Sequence, residues 1–450
     1  MKRIIVACLF AATAYGAPEK SLLLISLDGV KPEYVADADQ HQLKIPHLRK
    51  LWAEGVRASG VRGALPTSTY PSHTTLVTGV APAKHGIGAN QPFDPTDAQP
   101  TRWYWYSEDM RVPALWDAAT AAGYEVGSVS WPVTIGARGI KYNIPDFTGT
   151  RSDEDAKMIR AWAGVEFVDA LAKTAGPLLT DVSLGTARDW ARFRYLREII
   201  RQKKPRVLLA HFVATDYFQH KHGPFSKEAF AAIEEIDDMV GQLIAEMRSV
   251  YPNAAVCIVS DHGFSRIEQQ LALDAVFVRA GLITLESAGG SIGASKLKDW
   301  IAMPWPSGGS AAVVLKDRAD EGARRRVRDV LKNLAADPAN GVARILERDE
   351  IAQLGGSSDA DFWVDLKPGT AMTPLLGAFT IVAAGRSGTH GYVPTHEEMR
   401  SLFIFAGQGI KGGGIGEIDM RSIAPTLARY LGVPLPSAEL PPLAKGGDLP

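Results

Sequence analysis

Cysteine is nearly missing: 450 residues contain two, Cys8 and Cys257. Cys8 lies in a stretch with the pattern of a cleaved leader, so the mature chain is expected to have one thiol and no internal disulfide. Cys257 sits inside the apolar run 254–259, the setting of a small buried hydrophobe and not of a reactive nucleophile. Excess charge is missing too. With 49 Lys and Arg against 50 Asp and Glu, the formal net charge is −1, which excludes the electrostatic footprint of a protein that binds a nucleic-acid polymer. The one basic run, 323–328, interleaves with Val327, Val330, Leu331 and Leu334 at helical spacing, so its arginines read as a solvated helix face. No stretch approaches the ~18 consecutive apolar residues of a membrane-crossing helix, so no stable membrane span is expected. Internal repeats and low-complexity tracts are also absent.

What is present begins with the leader pattern. Met1-Lys2-Arg3 is a positive start, residues 4–14 form a short apolar stretch, and Ala12-Thr13-Ala14 offers small residues for cleavage, with Gly16 as a second candidate. A signal peptide over 1–16 and a periplasmic or secreted protein are expected. The remainder has the ordinary composition of a globular enzyme, 46% hydrophobic and 22% charged. Apolar runs at 22–27, 125–131, 207–213, 255–260, 378–383 and 401–405 read as strands covered on both faces. Between them, 46–54, 113–122, 187–203 and 227–251 carry helical periodicity, and a last helix capped by Asp419 runs to Leu431 before Gly432. The alternation predicts an α/β fold with a mainly parallel central sheet and helices on both faces. The stretch 265–376, broken by Gly-Gly pairs, reads as a smaller inserted α+β subdomain. It divides a catalytic core of 17–264 and 377–436, with 437–450 as a C-terminal tail.

Chemistry collects at strand ends, where open α/β sheets bind ligands. The first strand ends in Asp28-Gly29, the strand at 207–213 runs into Asp216 and His220, the strand at 255–260 ends in Asp261-His262-Gly263, and His390 follows the strand at 378–383. Asp216 and His220, four apart, share one face of a helical turn. Three carboxylates with three imidazoles suit borderline divalent metals, Zn²⁺ first with Mn²⁺ or Fe as alternatives, and the donor count fits two ions better than one.

The stretch 67–79, TSTYPSHTTLVTG, crowds hydroxyls at the entrance to a helix. Capping accounts for one or two of them. A nucleophile held against the positive helix end accounts for another. Metal coordination activates such a hydroxyl without a neighbouring base.

Taken in order, the set resembles the alkaline phosphatase superfamily, most closely its nucleotide pyrophosphatase/phosphodiesterase (type I phosphodiesterase) branch. That branch has a strand-ending Asp-Gly, a Thr-Phe-Pro-Asn-His turn leading to Val-Thr-Gly, and His-Gly-Ile with a downstream Asn. Next come Pro-Asp-x-x-Gly-His-x-x-Gly-Pro, Ser-Asp-His-Gly and a late Gly-x-His-Gly. Here these are Asp28-Gly29, Thr69-Tyr70-Pro71-Ser72-His73, Val77-Thr78-Gly79, His85-Gly86-Ile87 with Asn90, Asp216 to Pro224, Ser260 to Gly263, and Gly388 to Gly391. Trp131-Pro132 falls where the branch shows Trp-Pro. The resemblance implies an alkaline-phosphatase-like fold and a two-zinc hydrolase of phosphodiester or pyrophosphate bonds, working through a phosphothreonine intermediate on a small phosphodiester or nucleotide substrate. It implies Thr69 as nucleophile and ligand, with Asp28, Asp261 and His262 on the same ion. Asp216, His220 and His390 would hold the other, and Asn90 would donate to a phosphate oxygen. His222 falls one step past the ligand position and is left out. His73 and His85 read as structural hydrogen-bonders, and His41, His47, His211 and His396 are given no role.

Three departures stand out: Ser72 replaces Asn in the nucleophile turn, and Thr215 and Gln219 replace Pro and Gly in the third motif. The nearest rival function is an alkaline phosphomonoesterase with a Thr nucleophile. Such enzymes that use a Lys-x-Arg pair find no counterpart here, because Arg138 and Lys141 have the wrong spacing. A sulfatase would need Cys or Ser in a Cys-x-Pro-x-Arg setting, and a phosphomutase would use Ser and lack a leader. A non-catalytic metal-binding protein is the remote alternative. Trp103 to Tyr106 either stack a planar substrate group or pack a flap onto the body. Oligomeric state leaves no trace in the sequence.

Overall fold

The structure, a computed structural model, describes residues 19–96, 102–147, 153–178, 185–287, 295–374 and 380–444. The expected leader and the end of the tail lie outside these. The core is an eight-stranded sheet in the order Gly413–Gly414, Val56–Arg57, Phe403–Ala406, Ala255–Val259, Leu22–Leu27, Val207–Phe212, Val126–Val129, Tyr142–Ile144. Leu22–Leu27 lies at its centre, parallel to both neighbours. Phe403–Ala406 runs antiparallel to Ala255–Val259 and to the short strand Val56–Arg57 on its other side.

The pleat explains why the central strand is apolar throughout. Leu23, Ile25 and Leu27 enter one core with Ile233, Val240 and Met247 of the helix Lys227–Val250, while Leu22 and Leu24 enter a second core with Leu427 and Leu431 of the helix Ile423–Leu431. Helices thus cover both faces, and a strand between them has no side to turn to water. Pro46–Glu54 follows the proline rule at its start, with Pro46 at the first helical position.

Residues 265–374 build a four-stranded antiparallel sheet, Ala302–Pro306, Ser310–Leu315, Phe362–Leu366 and Val342–Glu347, with the helix Glu321–Ala336 packed on it through Val327, Leu331 and Leu334. A hairpin of Ile283–Ser287 and Ser295–Trp300 stands beside it.

Two expectations need correction. The apolar run at 378–383 does not restart the central sheet. The strand there is Ile381–Thr389, paired antiparallel with Ser265–Leu271 in a separate three-stranded sheet, and residues 381–384 are half-buried or exposed. The central sheet is rejoined instead by Phe403–Ala406. The basic helix is not wholly solvated either. Arg324 is buried, 3.2 Å from Glu321 and 3.6 Å from the fully buried Asp361, because it shares a helix face with Val327 and Leu331.

Candidate metal centre and nucleophile

The helix Thr69–Thr78 begins after Ser68, whose backbone is extended and whose side chain makes no cap. Its hydroxyls separate into two groups. Thr74 Oγ1 donates to the Tyr70 carbonyl and Thr78 Oγ1 to the Thr74 carbonyl, and Thr75 meets His85 at 3.1 Å, so these are internal. Thr69 is different: it is half-buried at the first helical position, where the helix end is positive, and its Oγ1 lies 3.5 Å from His262 Nε2. The Tyr70 amide donates to Asn90 Oδ1 at 2.9 Å. That bond occupies the Asn90 acceptor beside Thr69 and leaves its NH₂ as the group for a ligand.

The donors named from the strand ends come together, with His262 next to Thr69 and His220 joined to them through Asp216. His262 Nε2 lies 3.4 Å from Asp28 Oδ1 and 3.2 Å from Asp261 Oδ2. Asp216 Oδ1 lies 3.3 Å from His220 Nε2 and 3.7 Å from His390 Nε2. By distance His262 belongs to both sets: Asp28, Asp261 and His262 have donor atoms within 4.8 Å of one another, and so do Asp216, His262 and His390. The His262 and His390 rings stack at 3.6 Å. Close backbone approach makes this possible at Gly391, whose φ is +84° and where an added methyl would lie 1.4 Å from the Ser307 carbonyl oxygen.

Three observations fit divalent metal. Asp28 Oδ1, Asp216 Oδ1 and Asp261 Oδ2 are buried oxygens without a hydrogen-bond partner, which is costly unless something positive meets them. Burial, then the charges of Asp261 and Asp216, pushes the Asp28 carboxyl well above its ordinary range, and burial also raises Asp261. Burial works to raise Asp216 as well, but His220, then His390 and His262, outweigh it and hold it low. The imidazoles divide: burial works to lower His220, but the charge and hydrogen bond of Asp216 outweigh it and raise its pKa, whereas the other two are lowered. Burial lowers His262 to about 4 and His390 well below its ordinary value, which keeps both in the neutral form a metal ligates.

Side chains given no ligand role support this centre. His211 reaches Asp28 Oδ2 with Nε2 at 2.9 Å and the Ser130 carbonyl with Nδ1 at 3.0 Å. It lies one residue before the end of the strand Val207–Phe212 of the same sheet, which was the available signal. His73 lies 2.8 Å from both the Thr69 carbonyl oxygen and Ser26 Oγ. Ser72 Oγ has no hydrogen-bond partner, so the turn around Thr69 is held by His73 and Asn90 and not by Ser72. Arg192 donates to Ser130 Oγ, Asp189 and Asp146. Asp189 in turn accepts from the amides of Val213 and Ala214, at the start of the helix Ala214–His222.

A cavity of about 920 Å³ adjoins this centre, lined by His220 and His390 of the donor set and by Ser68 and Asn90, together with the apolar Phe93, Trp103, Leu297, Met303 and Trp305. Of the aromatic run 103–106, Trp103 lines the cavity and stands edge-on to Tyr70 at 5.3 Å. Trp105 packs on Phe147, Tyr106 on Trp162, and Tyr104 joins the cluster around Trp305. Flap packing therefore accounts for three of the four.

The sequence matches the family described as type I phosphodiesterase / nucleotide pyrophosphatase over residues 22–393. Among curated proteins it is similar to human bis(5'-adenosyl)-triphosphatase ENPP4, 25% identical over 255 residues, which is 55% of this chain and 48% of that protein. It is also similar to an uncharacterized pyrophosphatase/phosphodiesterase of Schizosaccharomyces pombe, 23% identical over 415 residues, covering 87% of this chain and 72% of that protein. The chain spans about half the length of the ENPP4 relatives it matches. Among solved structures, human ectonucleotide pyrophosphatase/phosphodiesterase 5 superposes with a TM-score of 0.64 at 20% identity, covering 95% of this chain and 98% of that one. The fold is alkaline-phosphatase-like.

Proposed function

The chain belongs to the type I phosphodiesterase / nucleotide pyrophosphatase family, and from that premise we propose that it hydrolyses small phosphodiesters or nucleotide pyrophosphates through a phosphothreonine at Thr69. The observation that carries this reading is the set of partnerless buried oxygens on Asp28, Asp216 and Asp261 beside a hydroxyl at a helix N-terminus. Asp28, Thr69, Asp261 and His262 would hold one Zn²⁺, and Asp216, His220 and His390 a second, with Mn²⁺ or Fe as substitutes. When bound, the ions supply the positive charge that makes an alkoxide accessible at Thr69 and offsets charge on the phosphoryl group.

Thr69 Oγ1 forms a bond to phosphorus as the bond to the leaving oxygen breaks. Water then attacks the phosphothreonine from the vacated side and returns the hydroxyl. The Thr69 amide and the Asn90 NH₂ receive a non-bridging oxygen. His73, on the Thr69 carbonyl, holds the nucleophile's backbone, and His211 fixes the orientation of Asp28. The second substituent of a diester lies along the Trp103–Trp305 wall of the cavity. Murine ENPP5, which shares the fold with a TM-score of 0.62 at 18% identity, has been solved in an inactive threonine-to-alanine form in complex with AMP, and a nucleotide is in keeping with this site.

The reading includes export, supported by the basic-then-apolar residues 2–14. Among the described residues no helix is long and apolar enough to cross a membrane. The experiment is a paired assay: metal-loaded protein against a bis-aryl diester and the matched aryl monoester. Diester turnover that is lost on chelation and restored by zinc supports the reading. Preference for the monoester makes the protein a phosphatase, and no turnover of either leaves a metal-binding protein.

A further inference from the structure

The third motif departs from its family pattern at Thr215 and Gln219, and both side chains are fully buried. They lie on the helix Ala214–His222 beside Asp216 and His220. Residues 215 and 219 share one helical face, and 216 and 220 the next. The second face meets the metal centre. The first meets the turn that ends the central strand: Thr215 Oγ1 donates to the Asp28 carbonyl at 2.7 Å and Gln219 Nε2 donates to the Gly29 carbonyl at 2.8 Å. The Gln219 amide is itself fixed, because Tyr34 OH donates to Gln219 Oε1 at 3.0 Å and the Phe225 amide donates to Tyr34 OH at 2.9 Å. The Gly29 amide donates to Asp261 Oδ1 at 3.1 Å. One dipeptide, Asp28-Gly29, is thus bonded to the helix that carries one donor set and to a member of the other.

We propose that Thr215 and Gln219 are positioning residues that set the spacing between the two metal-donor sets, Asp28 and Asp261 on one side and Asp216 and His220 on the other. The proposal rests on the ligand assignment given above. Proline and glycine, which the family pattern has at these positions, lack side-chain donors. In this chain the span from the ligand helix to the strand end is therefore held by two side chains of its own. Their packing is tight: a methyl group at Gly29, whose φ is +70°, would lie 3.0 Å from Gln219 Nε2 and 2.9 Å from the Phe264 ring.

The test uses the full chain with zinc. Thr215→Val and Gln219→Met keep size and remove the donors, and Thr215→Ser keeps the hydroxyl. Each isosteric variant should lose at least about tenfold in zinc affinity by competition with a chromophoric chelator, the scale on which groups that orient ligands act. Each should also lose about tenfold in kcat for a bis-aryl diester with KM within about twofold, and Thr215→Ser should restore both. Wild-type zinc affinity and kcat with only a lowered melting temperature would overturn the proposal, since the bonds then serve the fold alone. If Gln219→Met does not fold, the Thr215→Val and Thr215→Ser pair decides. Asp28→Asn runs alongside. If it loses zinc while Thr215→Val does not, the ligand assignment stands and the positioning role is overturned; if Asp28→Asn keeps its full zinc, the assignment fails and takes the proposal with it.

Discussion

His211 Nε2 and Asp28 Oδ2 lie 2.9 Å apart with both residues buried, and the other ring nitrogen of His211 faces a carbonyl oxygen. One side chain thus fixes the rotation of a carboxylate whose remaining oxygen, Oδ1, has no hydrogen-bond partner. His211→Phe removes that restraint and leaves a second buried oxygen unmet. Its affinity for the ion on the Asp28 side should fall about 10- to 100-fold, while His211→Asn, which retains a donor, should lose less. Chelator competition measures both, and equal affinities in all three proteins would remove His211 from the centre.

Thr69→Ala should abolish turnover and leave fold and metal content nearly intact, because Asp28, Asp261 and His262 remain on one side and Asp216, His220 and His390 on the other. Rates and elemental analysis on the same preparation check this. Retention of more than about a tenth of the wild-type rate, a barrier change under ~1.4 kcal/mol, would move the nucleophile elsewhere, with the buried Ser68 the first to test.

His390→Ala should release one ion selectively. The residue reaches the centre from a distant segment, stacks on His262 and lies 3.7 Å from Asp216. Two ions at full occupancy by elemental analysis would contradict the assignment of His390 to a metal.

Acid should destabilise the fold through His85, which is away from the centre. Its Nδ1 accepts the Ile87 amide and its Nε2 meets Thr75 Oγ1, and burial lowers its pKa from 6.5 to about 3. The unfolded chain takes up a proton near pH 6.5 that the folded chain refuses until about pH 3. This contribution to stability is therefore complete above the unfolded value and is lost as pH falls between the two, with a slope of up to ~1.4 kcal/mol per pH unit. Denaturant melts of wild type and His85→Gln from pH 7 to 4 should differ in slope by about one proton. Parallel curves would mean that His85 takes up its proton in the fold as readily as in the unfolded chain.

How far the sequence carried depended on whether a feature was local. Pro46–Glu54 was readable to the residue because a proline opens it and a glycine follows it. Leu22–Leu27 was readable because burial on both faces leaves an unbroken apolar run. Ile381–Thr389 was not, since a short apolar run says nothing about which sheet it joins. His211 was missed for a related reason. Its role follows from strand register, which sets it beside Ser26 and so next to Asp28, and register is a tertiary fact. Thr215 and Gln219 were visible as departures, but the carbonyls they bond belong to the turn after the central strand, 187 and 190 residues away. The clustering of Asp28, Asp216, Asp261 and His262, the candidate donors, was legible because each follows a strand of the central sheet, and a parallel sheet brings such ends to one edge; His390 follows Ile381–Thr389 of a separate sheet, and its arrival beside them is a tertiary fact.

Selectivity between diester and monoester follows from where the cations are. A monoester dianion brings one more negative charge than a diester to the same centre. Arg138 and Lys141 are exposed, and Lys141 pairs with Glu125. Arg192 is the guanidinium whose charge is felt at Asp28 and His211, but its donors are directed to Ser130, Asp189 and Asp146. Among the described residues that line the cavity, Arg102 is the one Lys or Arg, and it lies 3.8 Å from Asp109. The extra charge of a monoester would therefore sit partly desolvated without a partner, at a cost on the order of 2–4 kcal/mol. A diester has no such deficit, and its second substituent gains the apolar wall of Trp103, Met303 and Trp305. The bis-aryl or nucleotide-like diester should be hydrolysed at least ~10-fold more efficiently in kcat/KM than the matched monoester, a conservative floor for that cost. Equal or reversed efficiencies would mean that a cation does reach the phosphoryl group, and Arg102→Gln would then show whether it is this one.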